Sequence, residues 1–154
     1  FPYTTLFRSE TMCKIQINRH INVHGAYNYL YTSKDADGVR LSSSSPHSGN
    51  IRAEYNTRIP RYATVVNLSG NIMGKKKFDV LDELEIDGKK VEAYYQAKVN
   101  PYCLWDLTVS QYIMQNLRIT AGITNLFDYT SDRVTFNTST SPGRNYFIAC
   151  NYTL

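Results

Sequence analysis

Apolar and polar residues alternate along most of the chain with a period of two, the spacing of a half-buried strand and not of a helix. From Ile21 to Thr32 the odd positions are Ile21, Val23, Gly25, Tyr27, Tyr29 and Tyr31, and the even ones are Asn22, His24, Ala26, Asn28, Leu30 and Thr32. Between Gly49 and Asn56, Ile51, Ala53 and Tyr55 alternate with Asn50, Arg52, Glu54 and Asn56. Val66, Leu68 and Ile72 alternate with Asn67, Ser69 and Asn71, with Val65 out of step. Trp105, Leu107 and Val109 are followed by Leu117, Ile119, Ala121 and Ile123, and the chain closes on Tyr146, Ile148, Cys150, Tyr152 and Leu154. With a shorter stretch, Met12 to Ile17, the pattern predicts about seven strands in an all-β antiparallel meander.

The gaps between these strands alternate in length. Residues 18–20, 57–61 and 112–116 are short connections, and 34–46, 74–101 and 126–144 are long ones. Short turns at one end and long loops at the other are the pattern of an outer-membrane barrel, and strands of about 9 to 12 residues suit a tilted crossing of the hydrocarbon layer. A soluble sandwich or lipocalin-like barrel shares the period but has no need to sort its loops by length. Within the longest gap, Asp87-Gly88 separates Leu84-Glu85-Ile86 from Lys89-Lys90-Val91, which predicts a tight hairpin projecting beyond the bilayer.

Composition sharpens this picture. The 154 residues are 42% hydrophobic and 19% charged, with 13 Tyr and a net charge of +4, which excludes a disordered chain. No apolar run reaches the length of a membrane helix. Mean hydropathy is only −0.40, because Ser, Thr and Asn supply much of the polar set, as suits strands with one greasy and one wet face.

The first nine residues, FPYTTLFRS, resemble the codon-by-codon translation of a short-read sequencing adapter. They are therefore expected to be non-native, with authentic sequence in residues 10–154 and the charge reduced to +3 without Arg8.

Candidate chemistry is sparse. The sequence contains no P-loop, Cys-x-x-Cys, His-Glu-x-x-His or Gly-x-Ser-x-Gly, so neither an enzyme nor a bound cofactor or metal is expected. His20, His24 and His47 read as strand or turn residues, and Cys13, Cys103 and Cys150 do not make a disulfide framework. Cys150 is expected on the apolar face as a small hydrophobe. Lys75-Lys76-Lys77 suggests an anionic ligand or lipopolysaccharide headgroup, or simply a solvated loop. The acidic group between Asp79 and Asp87 fits no Ca²⁺-loop spacing. In a barrel, Arg52, Glu54, Asp106 and Arg118 become candidate lumen residues, with a cross-strand Asp106 and Arg118 ion pair as the structural alternative.

Three segments carry a resemblance to a family. Leu104-Trp105-Asp106-Leu107-Thr108-Val109-Ser110, then Ala121-Gly122-Ile123-Thr124 with Asn125-Leu126-Phe127-Asp128, then Pro142-Gly143-Arg144 before Tyr146-Phe147, together resemble the last strands of TonB-dependent outer-membrane receptors. Gly25 to Leu30 and Pro46 to Tyr55 are similar to upstream strands of that family. The resemblance implies the C-terminal part of a 22-stranded transmembrane barrel, with the plug domain and TonB box outside this sequence. It also implies TonB-energised uptake of a scarce solute, such as a siderophore, haem, cobalamin or a glycan, in the outer membrane of a Gram-negative bacterium. The implied partners are outer-membrane lipid, the small solute, the barrel assembly machinery, and the TonB complex acting through the missing N-terminal region; nucleic acid is not among them. A passive porin-like or adhesin barrel, and a soluble ligand-binding β-domain, are the alternatives. Two departures weaken the family's terminal assembly signal: Leu154 stands at the usual aromatic terminus and Ala149 at the usual glycine.

Overall fold

The structure, a computed structural model of the chain, describes residues 6–32, 45–57, 59–60, 62–86, 89–113, 116–130 and 143–153. Among the described residues nine strands form: β1 (Leu6–Gln16), β2 (Ile21–Thr32), β3 (His47–Asn56), β4 (Thr64–Met73), β5 (Lys76–Ile86), β6 (Lys89–Val99), β7 (Tyr102–Ile113), β8 (Leu117–Thr124) and β9 (Asn145–Tyr152). Seven make one antiparallel sheet in the order β1-β2-β3-β4-β7-β8-β9, and β5 with β6 form a separate two-stranded ribbon. The seven-strand meander expected from the alternation is this larger sheet.

Register decides what the two faces are made of. Tyr55 lies opposite Ile21, Ala53 opposite Val23 and Ile51 opposite Gly25; Val66 opposite Tyr55 and Leu68 opposite Ala53. Leu107 then faces Leu68 and Ile123 across its two ladders, and Ile148 faces Ala121. Directly paired residues share a face in an antiparallel sheet. Each strand therefore delivers its apolar set to the same side, and the patterns read separately along the chain merge into one surface.

That surface carries no charge among the described residues. Arg8, Glu10, Lys14, Arg52, Glu54, Asp106 and Arg118 all fall on the opposite face by register. Cys13, Cys103 and Cys150, all free, fall on the apolar side. Tyr55 and Tyr152 stand toward its short-turn end, and Tyr27, Tyr29, Trp105 and Tyr146 toward the other. Tyr152 lies six positions after Tyr146, about 20 Å along a strand, comparable with the apolar band that aromatic girdles flank in outer-membrane barrels.

The sheet is a single layer. Contacts between strands are confined to hydrogen-bonded neighbours, and β1 and β9 do not pair with each other. Among the described residues Val99 is the one buried hydrophobic side chain, while Ile148 is 81% exposed. Among the described residues no second sheet covers this bare apolar face, unlike the soluble sandwich alternative.

Several boundaries differ from the expected ones. β1 begins at Leu6, inside the adapter-like segment, because β2 runs on to Thr32 and presents backbone groups for it to pair with. β7 extends from Tyr102 to Ile113, which shortens the following turn, and β9 ends at Tyr152. The expected Asp87-Gly88 turn lies outside the described residues, but Ile86 pairs with Lys89 on either side of it.

The ribbon continues the sheet in step. Met73 pairs with Tyr102 and Lys76 with Val99, so equal numbers of residues, 74–75 and 100–101, lie in the gap between the ladders. Gly74 donates its N–H to the His47 carbonyl at 2.8 Å, toward β3. Its position opposite Pro101 therefore needs no ladder bond from the proline, which has no N–H to give. The 11 residues of β5 carry the ribbon about 36 Å further.

Candidate functional site

The densest group of specific polar contacts lies where β8 leaves the sheet and β9 enters it. Thr124 ends β8, and Asn125 turns the chain with φ 52°, a left-handed conformation that Asn tolerates better than most residues. Its N–H donates to Asp106 Oδ1 at 2.9 Å, and the N–H of Leu126 donates to the Trp105 carbonyl at 2.6 Å. The Asn125 side chain then spans the turn, with Nδ2 donating to the Tyr129 carbonyl and Oδ1 accepting from the Tyr129 N–H, each at 2.8 Å. Only 4% of Asn125 is exposed.

Asp128 joins the two ends of the connection. It too has positive φ, 55°, and its N–H donates to the Asn125 carbonyl at 2.8 Å. Its Oδ1 accepts the Arg144 N–H at 2.8 Å, across 16 residues of chain. Gly143 takes φ 80° beside it, and a Cβ there would lie 3.3 Å from Asp128 Oδ1. A side-chain hydrogen bond and electrostatic interaction with Tyr146, and to a smaller extent the charge of Asp128, hold the Arg144 guanidinium above its ordinary range. Phe127 is exposed and Leu126 half-buried; Pro142 lies outside the described residues.

A second group lies on the polar face. Arg52 donates to Asn67 Oδ1 from Nη2 at 3.1 Å and from Nε at 3.4 Å, and approaches Glu54 Oε2 at 3.8 Å. His24 stands opposite Arg52 in the register. Ser110 and Thr120 share a hydroxyl hydrogen bond at 2.8 Å on the same face, whereas Thr64 Oγ1 donates to Gln111 Oε1 at 2.6 Å on the apolar one. His20 is a turn residue whose Nδ1 lies 2.8 Å from the Asn56 carbonyl, and His47 sits at the end of β3 with its Nδ1 2.6 Å from the Tyr27 hydroxyl.

The four lumen candidates are not one cluster. Arg52 and Glu54 are neighbours on β3, whereas Asp106 and Arg118 are separated along their ladder. Register puts Arg118 opposite Tyr112, with its guanidinium 5.9 Å from that ring's centroid and Nη1 3.5 Å from the hydroxyl. The alternative of an Asp106 and Arg118 ion pair is thus not realised; five residues of β7 lie between Asp106 and Tyr112, and Asp106 caps Asn125 instead.

Three relationships had no signal in the alternation. The Phe147 ring covers Gly122 on the polar face, and the Trp105 ring covers Gly70 on the apolar face, in both cases across directly paired positions. Tyr129 stacks on Tyr102 with ring centroids 4.9 Å apart and planes at 9°. A glycine read together with its partner's identity would have exposed the first two, but the partner is known only once the register is.

A single-layer antiparallel sheet with one uncharged apolar face, short turns at one end and long connections at the other has the fold of part of a TonB-dependent receptor barrel. The ferripyoverdine receptor of the outer membrane of Pseudomonas aeruginosa, solved with ferripyoverdine bound, matches 93% of this chain with a TM-score of 0.72 and 18% identity. The complex of FpvAI with pyocin S2 matches the same share with a TM-score of 0.72 and 17% identity. The chain spans 19% and 18% of those two receptor chains, and the likeness is one of fold. No protein-family profile matches the chain, and no curated protein does.

Proposed function

We propose that the chain is the C-terminal wall of an outer-membrane receptor that imports a scarce solute by TonB-coupled transport. The observation that carries this reading is the uncharged apolar face, continuous across seven strands, which has hydrocarbon as its natural neighbour. The opposite face, with Arg52, Glu54, Asp106 and Arg118, then lines the lumen. The ends with long connections are extracellular, and the corner built from Asn125 to Asp128 with Gly143 and Arg144 stands at that end. Ferripyoverdine in the P. aeruginosa receptor makes a ferric siderophore the first cargo to test, ahead of haem, cobalamin or a glycan.

Residues 1–9 are proposed to be foreign, and amplification of the locus from genomic DNA tests this by revealing different codons before Glu10. The functional test is uptake of radiolabelled ferric siderophores by cells carrying the complete gene, with and without an active TonB complex. Energy-dependent accumulation is expected. Equal uptake in both strains would indicate a passive porin-like barrel.

A further inference from the structure

We propose that the apolar face of β7, β8 and β9 carries a site for one molecule of lipopolysaccharide, with an acyl chain in an apolar trench and a lipid A phosphate on Arg144. This rests on the receptor reading above, and deepens it by giving the wall a specific partner in the outer leaflet. The trench holds about 300 Å³, and its lining, almost entirely of apolar atoms, includes Leu107, Val109, Ala121, Ile123, Tyr146 and Ile148. Register accounts for its shape. Leu107, Ile123 and Tyr146 form one cross-strand row, and Val109, Ala121 and Ile148 form the next. Ala121 is the small member between two branched neighbours, and it is exposed, so the floor drops in the middle of the second row. The trench lies within β7, β8 and β9, so a strand added at the free edge of β9 leaves it in place.

A cation at the upper end of the trench separates this site from general contact with hydrocarbon. Arg144 stands just before β9, at the end of the sheet with long connections, and is exposed. Its guanidinium hydrogen-bonds the side chain of Tyr146, which lines the trench. Asp128 is the nearby countercharge, but its Oδ1 accepts the Arg144 backbone N–H, and among the described residues the guanidinium closes no salt bridge. A guanidinium carries five donors in a fork that matches phosphate, so donors remain for a headgroup after the Tyr146 contact. An acyl slot beneath a phosphate-binding cation, at the extracellular end of the wall, fits the lipid A part of lipopolysaccharide, the lipid of that leaflet.

The test is native mass spectrometry of the complete receptor, purified from outer membranes in mild detergent, with diphosphorylated lipid A as the probe. One bound lipid A is expected. Ala121→Leu fills the trench and Arg144→Gln removes the charge, and each is expected to weaken binding about tenfold. Ala53→Leu makes the same change on the apolar side of β3, outside the trench, and is expected to bind as the parent does. Dephosphorylated lipid A is expected to bind more weakly and to be indifferent to Arg144→Gln. Equal loss in Ala53→Leu would reduce the trench to general lipid contact and overturn the site. Unaltered binding by either trench variant, with folding checked by heat-modifiable gel mobility, also overturns it, as does phosphatidylglycerol binding as tightly as lipid A. Fractionation of the same cells separates the two readings. Receptor in the outer-membrane fraction that takes up no lipid A sinks the site alone, whereas receptor absent from that fraction sinks the receptor reading with it.

Discussion

The ring of Phe147 lies over Gly122 across the last ladder of the sheet, filling the space a side chain at position 122 would need. An aromatic laid over a strand glycine shields backbone that the glycine leaves bare. Gly122→Ala is expected to cost about 1–3 kcal/mol by overpacking, and Phe147→Ala is expected to offset most of that loss in the double variant. Guanidinium unfolding of the barrel in lipid vesicles measures both. Additive effects would mean that the ring and the glycine do not interact.

The corner makes separable predictions for hydrogen exchange. Asn125→Ala removes both side-chain bonds to Tyr129 and leaves a strained positive φ, so the Tyr129 amide should exchange at least tenfold faster while Arg144 changes less. Asp128→Ala should reverse the order, because its Oδ1 accepts the Arg144 N–H. Identical exchange profiles for the two variants would contradict the separation.

A charge should be tolerated on one face only. Leu68→Arg, central in β4 on the apolar side, is expected to destabilise the membrane-inserted barrel by about 2–4 kcal/mol. Asn71→Arg, three residues along on the wet side, is expected to stay within about 0.5 kcal/mol of the parent. The fraction of heat-modifiable barrel on unheated gels provides the readout, and equal losses would remove the basis for assigning lipid to the apolar face.

Much of this was legible because alternation is local. Ile21 to Tyr31 and Leu117 to Ile123 declare their faces without any knowledge of their neighbours, and the sheet then follows from adding hairpins in order. Relationships across strands were hidden for the complementary reason. Asp106 and Arg118 suggest an ion pair by charge, yet the β7 and β8 register sets Arg118 against Tyr112 and leaves Asp106 at the far end to cap Asn125. Tyr129 meets Tyr102 only because the Asn125 turn folds it back. The Asn-Leu-Phe-Asp string was recognisable as a motif, but its capping role depends on left-handed dihedrals that residue identity only permits.

Unpaired β1 and β9 predict the behaviour of the chain expressed alone. Each presents a row of free backbone groups at the border of an extensive apolar surface, so the isolated chain in buffer is expected to aggregate. Size-exclusion chromatography at low concentration decides this: a monodisperse, protease-resistant monomer would contradict both the open edges and the proposed contact of the apolar face with lipid.

The gap at residues 74–75 and 100–101 acts like the joint of a jointed ruler. The ladder stops and resumes with the same graduation on both arms. Neither arm is offset from the other across the gap, so the reach of the ribbon is metered by residue count alone. Parity at the joint also sets which way the far section faces. One residue inserted into both arms would exchange the two faces of the ribbon while leaving every pairing within it intact.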